Sequence, residues 1–151
     1  IDTHYFFEEL VTENSLAINQ HDNQLDIKID LATVFADHKL FRRILDNLLS
    51  NAIAHGNKGN PIYIRLYLRD NMQILDFANH GHRIAKEQRH ALFQPFSRGE
   101  GTRNDRVIGS GLGLSIVADC ARMMSGKVEM VEVDYAEVCI RVQIPNKEAN
   151  I

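Results

Sequence analysis

The sequence predicts a two-layer α+β sandwich: a mixed, mostly antiparallel sheet with helices packed on one face. Three observations carry this. Apolar residues recur at helical spacing in three long stretches. Two pairs of apolar or alternating segments flank short polar turns and read as hairpins, which exclude a purely parallel βαβ sheet. The 151 residues suffice for one domain with one core, so residues 1–151 are read as a single domain.

Residues 3–19 carry Tyr5, Phe6, Phe7, Leu10, Val11, Leu16 and Ile18 largely at helical spacing and are read as a helix. "QHDNQ" breaks the pattern, and "LDIKID" alternates as a short strand. Asp37 is a helix N-cap candidate, because its carboxylate can accept from free backbone N–H groups. The helix after it carries Leu40, Ile44, Leu45, Leu48, Leu49, Ala52 and Ile53 and should end near Gly56. "IYIRLYL" and "MQILDFA" flank "RDN" as a hairpin, and "AKEQRHALF" reads as a short amphipathic helix. "SRGEGTRNDRVI" is polar, charged and glycine-containing, and reads as a mobile loop. "SGLGLSIVADCARMM" reads as a helix opened by glycines. "GKVEMVEVD" and "EVCIRVQIP" close the chain as a second hairpin.

Apolar content of 44% and charged content of 25% fit a globular domain. The net charge of −3 argues against a nucleic-acid partner, which needs a basic surplus. Cys120 and Cys139 are too few for a disulfide framework, form no metal-type spacing and fit a reducing compartment. No apolar run approaches the about 18 residues of a membrane span. The opening "IDTHYFFEEL" has no initiator Met and no signal peptide, so the chain reads as part of something longer.

"DNLLSNAIAHG" sets Asn47, Asn51 and His55 at i, i+4 and i+8, on one stripe of a helix that otherwise reads as buried. A single mid-helix Asn commonly caps a loop or faces water. Three aligned polar groups beside a Leu/Ile face point instead to a polar seam on a pocket wall. An amide oxygen there suits Mg²⁺, which takes its other ligands from water and phosphates. In "VIGSGLGLSIV", Gly109, Gly111 and Gly113 precede a helix. Such glycines let backbone N–H groups approach an anion at a helix N-terminus; they also serve a plain turn and close helix packing. The charged loop upstream supplies Arg98, Arg103 and Arg106 for phosphate contacts. His80 and His82 flank Gly81 without a third ligand nearby and read as loop residues rather than a metal pair.

Together these stretches resemble the ATP-binding catalytic domain of sensor histidine kinases of two-component systems, nearest to the QseE/GlrK type. "DNLLSNAIAHG" is similar to the N box, "LFQPFSRG" to the F box and "GSGLGL" to the second glycine box, in that order and at matching spacing. The resemblance implies the Bergerat (GHKL) ATP-binding sandwich with a mobile ATP lid. It implies ATP and Mg²⁺ as cofactors, with Asn51 as metal ligand and Asn47 supporting the same metal–phosphate region. It places His55 near the phosphates and Gly109, Gly111, Leu112 and Gly113 at the lid hinge and phosphate site. Arg98 would contact phosphate, while Phe93 and Phe96 would pack the lid base. The implied partners are a dimerisation and histidine-phosphotransfer domain of the same protein and a response regulator. The domain alone would be monomeric, as the cytoplasmic part of a bacterial inner-membrane sensor that is itself a homodimer.

Two departures stand out. The first glycine box should read D-x-G-x-G-I; here "NHGHRI", residues 79–84, aligns with it. Asn79 replaces the Asp that accepts from the adenine amino group, and Arg83 replaces the second glycine. Gly81 and Ile84 remain. Asp76 is out of register with the downstream match and is not the adenine acceptor. An Asn still offers a carbonyl acceptor but loses charge assistance. Arg83 would either narrow the base pocket or point outward. The second departure is the missing phosphoacceptor motif, which His4 in "THYFFEEL" does not supply. The receiving histidine is expected N-terminal to residue 1, so this stretch alone should transfer phosphate poorly.

Related ATPases and anti-sigma-factor serine kinases carry a Glu general base one helical turn before the metal-binding Asn. Here that position is Asn47, which cannot accept a proton, so histidine phosphorylation is favoured. The alternatives are an anti-sigma-factor-type serine kinase, or a degenerate non-catalytic nucleotide-binding module, motivated by "NHGHRI".

Overall fold

The computed structural model describes residues 1–94 and 112–146. Five strands form one sheet in the order β1-β2-β3-β5-β4: β1 Gln24–Ile29, β2 Pro61–Arg69, β3 Met72–Asn79, β4 Lys127–Met130 and β5 Val138–Pro145. The β1–β2 pair is parallel and the others antiparallel. Helices α1 (Thr3–Glu13), α2 (Ser15–Gln20), α3 (His38–His55), α4 (Lys86–Arg89) and α5 (Leu112–Met123) accompany it, with a 3₁₀ turn at His90–Phe93.

Strand alternation decides which face the helices cover. Ile62, Ile64 and Leu66 of β2 share a core with Leu75 and Phe77 of β3 and Ile140, Val142 and Ile144 of β5. Phe41, Ile44, Leu45, Leu48 and Leu49 of α3 and Val117 and Ala121 of α5 fill the same core from the helical layer. The opposite face carries a smaller cluster of Ala78, Ala136 and Cys139 under Tyr63, Val131, Val133 and Tyr135. Burial there pushes the Cys139 thiol up to about 12, which leaves it an inert packing group.

The Asp37 carboxylate accepts from the Leu40 N–H at 2.9 Å and starts α3. The hairpin turn between β2 and β3 is a type I′ turn, with φ of 52° at Asp70 and 63° at Asn71.

Two expectations are corrected, on the 3–19 helix and on the last hairpin, and one, the end of α3, holds. The 3–19 helix breaks at Asn14, whose side-chain amide donates to the Leu10 carbonyl and so competes with helix continuation. Gly56 ends α3 as expected, with φ of −81°. It is required for room, since a Cβ there would lie 2.5 Å from the Ala52 carbonyl oxygen. The last hairpin is shorter than its alternation implied. β4 stops at Met130, and residues 131–137 cross onto the outer face because Val131, Val133 and Tyr135 have apolar surface to bury there.

Candidate functional site

A cavity of about 490 Å³ opens between α3, the 79–84 loop, the α4/3₁₀ segment, α5 and the β4–β5 edge. Its size is in the usual range for a small-molecule site. Asn51 and His55 reach it from α3, and Asn79 reaches it from the end of β3. Ile84, Leu92, Leu114, Met130, Val138 and Ile140 supply an apolar wall, as a flat aromatic base requires. Leu114, in the first turn of α5, lines the cavity.

Asn79 is 5% exposed, and the backbone crowds it from two sides. A Cβ on Gly56 or on Gly81 would come within 3.3 Å of its amide nitrogen. A Cβ on Gly81 would also lie 2.9 Å from the His55 carbonyl oxygen, closer than real Cβ contacts allow. Gly81 is therefore what lets the loop approach the end of α3. The Asn57 N–H donates to the His80 carbonyl at 2.8 Å and ties the two together.

The predicted stripe divides. Asn51 and His55 face the cavity, but the Asn47 amide donates back to the Arg43 carbonyl at 2.7 Å. Asn47 lines a neighbouring recess with His38, Lys39, Arg42, Arg43 and Asp46. Phe93 packs against the core at the end of the 3₁₀ turn. Phe96, Arg98, Gly109 and Gly111, with the expected lid, lie outside the described residues.

Asp76 and Arg83 both point away from the cavity. Asp76 is 2% exposed and faces away from the cavity; it accepts from Arg141 at 2.8 and 2.9 Å and from the Tyr67 hydroxyl at 2.9 Å. This pairing raises the Arg141 pKa further above the ordinary guanidinium value. Arg83 points outward to Glu132 at 3.6 Å and does not narrow the pocket. Glu132 also pairs with Arg89, which holds the Glu132 carboxyl below the usual range. His80 sits between Tyr63 and Glu137, and His82 turns to the cavity.

Sequence reasoning missed Leu92, Leu114, Met130, Val138 and Ile140 as lining residues. Each looks like ordinary core in a one-dimensional pattern. The signal that finds them is register: Val138 is the cross-strand partner of Asn79, and Met130 that of Ile140.

Residues 36–148 match the family described as Histidine kinase-, DNA gyrase B-, and HSP90-like ATPase. Sensor histidine kinase GlrK of Escherichia coli (strain K12) is 34% identical over 141 residues, which cover 93% of this chain and 30% of GlrK. The chain thus spans about a third of that relative. The solved catalytic domain of histidine kinase ThkA superposes with a TM-score of 0.83 at 22% identity, covering 100% of this chain and 97% of that one. Full-length ShkA, solved in complex with AMPPNP, has a TM-score of 0.79 at 21% identity over 96% of this chain and 30% of its own. A core sandwich, a cavity between its helices and sheet, and this match over most of the chain agree: the chain belongs to the histidine kinase-, DNA gyrase B- and HSP90-like ATPase family, and within it is similar to the catalytic domains of sensor histidine kinases.

Proposed function

We propose that this chain is a single ATP-binding catalytic domain that transfers the γ-phosphoryl group of ATP to a histidine on an adjacent dimerisation and phosphotransfer domain. The single observation that carries this is the cavity itself: a buried amide, Asn79, beside an apolar wall, with Asn51 and His55 on one helix stripe. The Asn79 carbonyl accepts from the adenine amino group while Ile84 and the wall hold the ring. Asn51 offers an amide oxygen to a Mg²⁺ ion, which would neutralise phosphate charge when bound. Among the described residues no cluster of three acidic, His or Cys side chains forms a metal cage, as suits an ion held largely by phosphates and water. A phosphate role for Leu112 and Gly113, at the start of α5, rests on the glycine motif. Roles for Phe96, Arg98, Gly109 and Gly111 rest on their motifs alone.

The residue one helical turn before Asn51 supports kinase over hydrolase. Asn47 cannot accept a proton. Glu87 lines the cavity but belongs to α4, not to the turn before Asn51. A neutral imidazole has its own lone pair; it attacks phosphorus as the β–γ bridging bond breaks and ADP leaves. A response regulator as the next acceptor is consistent with ThkA, a histidine kinase solved in complex with the response regulator TrrA. The described residues contain no helix long and apolar enough to cross a membrane. We place the chain on the cytoplasmic side of a bacterial membrane sensor, because ATP is supplied there.

The test is calorimetry and thermal melting with Mg²⁺ and a non-hydrolysable ATP analogue. Heat release and a raised melting temperature at millimolar ligand are expected, since ligand at 100 times Kd stabilises by about 2.7 kcal/mol. No heat and no shift at that concentration would contradict the reading.

A further inference from the structure

The β4–β5 connection, residues 131–137, grips the base-binding loop at three points. Glu132 pairs with Arg83 at the far end of the loop and with Arg89 of α4 beyond it. Tyr135 packs edge-on against Tyr63 with ring centres 5.1 Å apart, and the Tyr63 hydroxyl lies 3.0 Å from His80 Nε2. Glu137 accepts from the Gly81 N–H at 3.1 Å, and its same oxygen lies 3.2 Å from His80 Nδ1. A carboxylate only accepts, so Nδ1 carries the proton; in the neutral ring Nε2 then accepts from Tyr63. The two residues that follow Asn79 are thus fixed by one carboxylate from another segment.

We propose that Glu137 is a positioning residue for base recognition: it holds His80 and Gly81 so that the buried Asn79 amide keeps one pose, and it thereby sets the preference for adenine. This rests on the ATP-binding reading above. The need for such a support follows from the sequence at the site. Asn79 is a neutral acceptor without charge assistance, so its discrimination depends on geometry. Arg83 stands where a glycine would have allowed a tight turn, and its side chain is instead recruited to the same strap. A recognition group held by a supporting layer loses less freedom on binding than one left to fluctuate.

The experiment measures Kd for non-hydrolysable ATP and GTP analogues with Mg²⁺ on the chain and on Glu137→Ala, Glu137→Gln and Tyr63→Phe, with ligand-free melting curves for each. Glu137→Ala should weaken the ATP analogue about 5-fold and lower the ATP-over-GTP preference at least about 3-fold, because the site loses its fixed hydrogen-bonding pattern. Glu137→Gln keeps an acceptor for the Gly81 N–H and should retain most of the preference. Tyr63→Phe keeps the ring against Tyr135, removes only the hydroxyl and should fall between. If Glu137→Ala does not fold, the milder pair decides by the same ratio. Equal weakening of both analogues with an unchanged ratio would show a merely structural role and overturn the inference alone. A wild-type chain that binds neither analogue would overturn the function reading and this inference with it.

Discussion

Asn51→Ala should remove Mg-ATP binding and leave the ligand-free fold as stable as before or slightly more so. Asn51 is half-buried on the cavity wall, and among the described residues no group hydrogen-bonds its side chain. Its truncation therefore strands no protein donor or acceptor, unlike the about 1–3 kcal/mol lost when a buried partner is left unsatisfied. Ala is the better helix former by about 0.5 kcal/mol, which corresponds to a rise of about 1–2 °C in melting temperature at this size. The ATP-induced shift should vanish. Asn79→Asp is the counterpart. A carboxylate should tighten adenine binding several-fold, about 1 kcal/mol, through charge assistance. It should also lower the ligand-free melting temperature, because the Asn79 amide nitrogen now sits 3.3 Å from the His80 carbonyl oxygen, where a carboxylate oxygen would be repelled. Melting curves with and without the ATP analogue check both variants. An Asn51→Ala chain that is markedly less stable yet binds normally would show that the stripe is structural.

The largest stability effect should come from Asp76→Ala. This carboxylate is 2% exposed and accepts both the Arg141 fork and the Tyr67 hydroxyl. Removing it leaves a guanidinium and a phenol without their partner on the outer face. Breaking a buried pair on one side costs about 3–5 kcal/mol, and Arg141 retains some solvent, so about 3 kcal/mol is expected. That is about 6–12 °C in melting temperature. The surviving folded protein should still bind the ATP analogue when measured cold, because Asp76 and Asn79 lie on opposite faces of β3. Urea denaturation for stability and calorimetry at low temperature for binding separate the two readouts. Loss of binding with little loss of stability would make Asp76 the base acceptor and reverse the register assignment.

Local chemistry was the part of this molecule readable from sequence. The Asp37 cap, the α3 stripe and the β2–β3 turn each depend on residues within a few positions of one another. Asn51 and Asn79, each singled out within a short motif, both line the cavity. The Asn47 amide is a local exception: it turns back to the Arg43 carbonyl four residues earlier, a choice the stripe pattern does not encode. Long-range competition was not readable. The 131–133 stretch alternates like a strand, yet the outer-face patch of Ala78 and Cys139 draws it off the sheet. Arg83 could be placed only once Glu132 was found beside it. The apolar wall was hidden because a strand residue facing a cavity and one facing a core share one alternation.

Phosphotransfer tests the central claim most directly. The chain is incubated with Mg²⁺ and γ-labelled ATP, with and without a dimerisation and histidine-phosphotransfer domain of a GlrK-type kinase. Label should appear on that domain in an acid-labile, alkali-stable form, as a phosphoramidate bond to histidine requires. Without the domain, release of free phosphate should stay at background, because Asn47 supplies no base for water. Steady phosphate release by the chain alone, or acid-stable label on serine, would contradict the account.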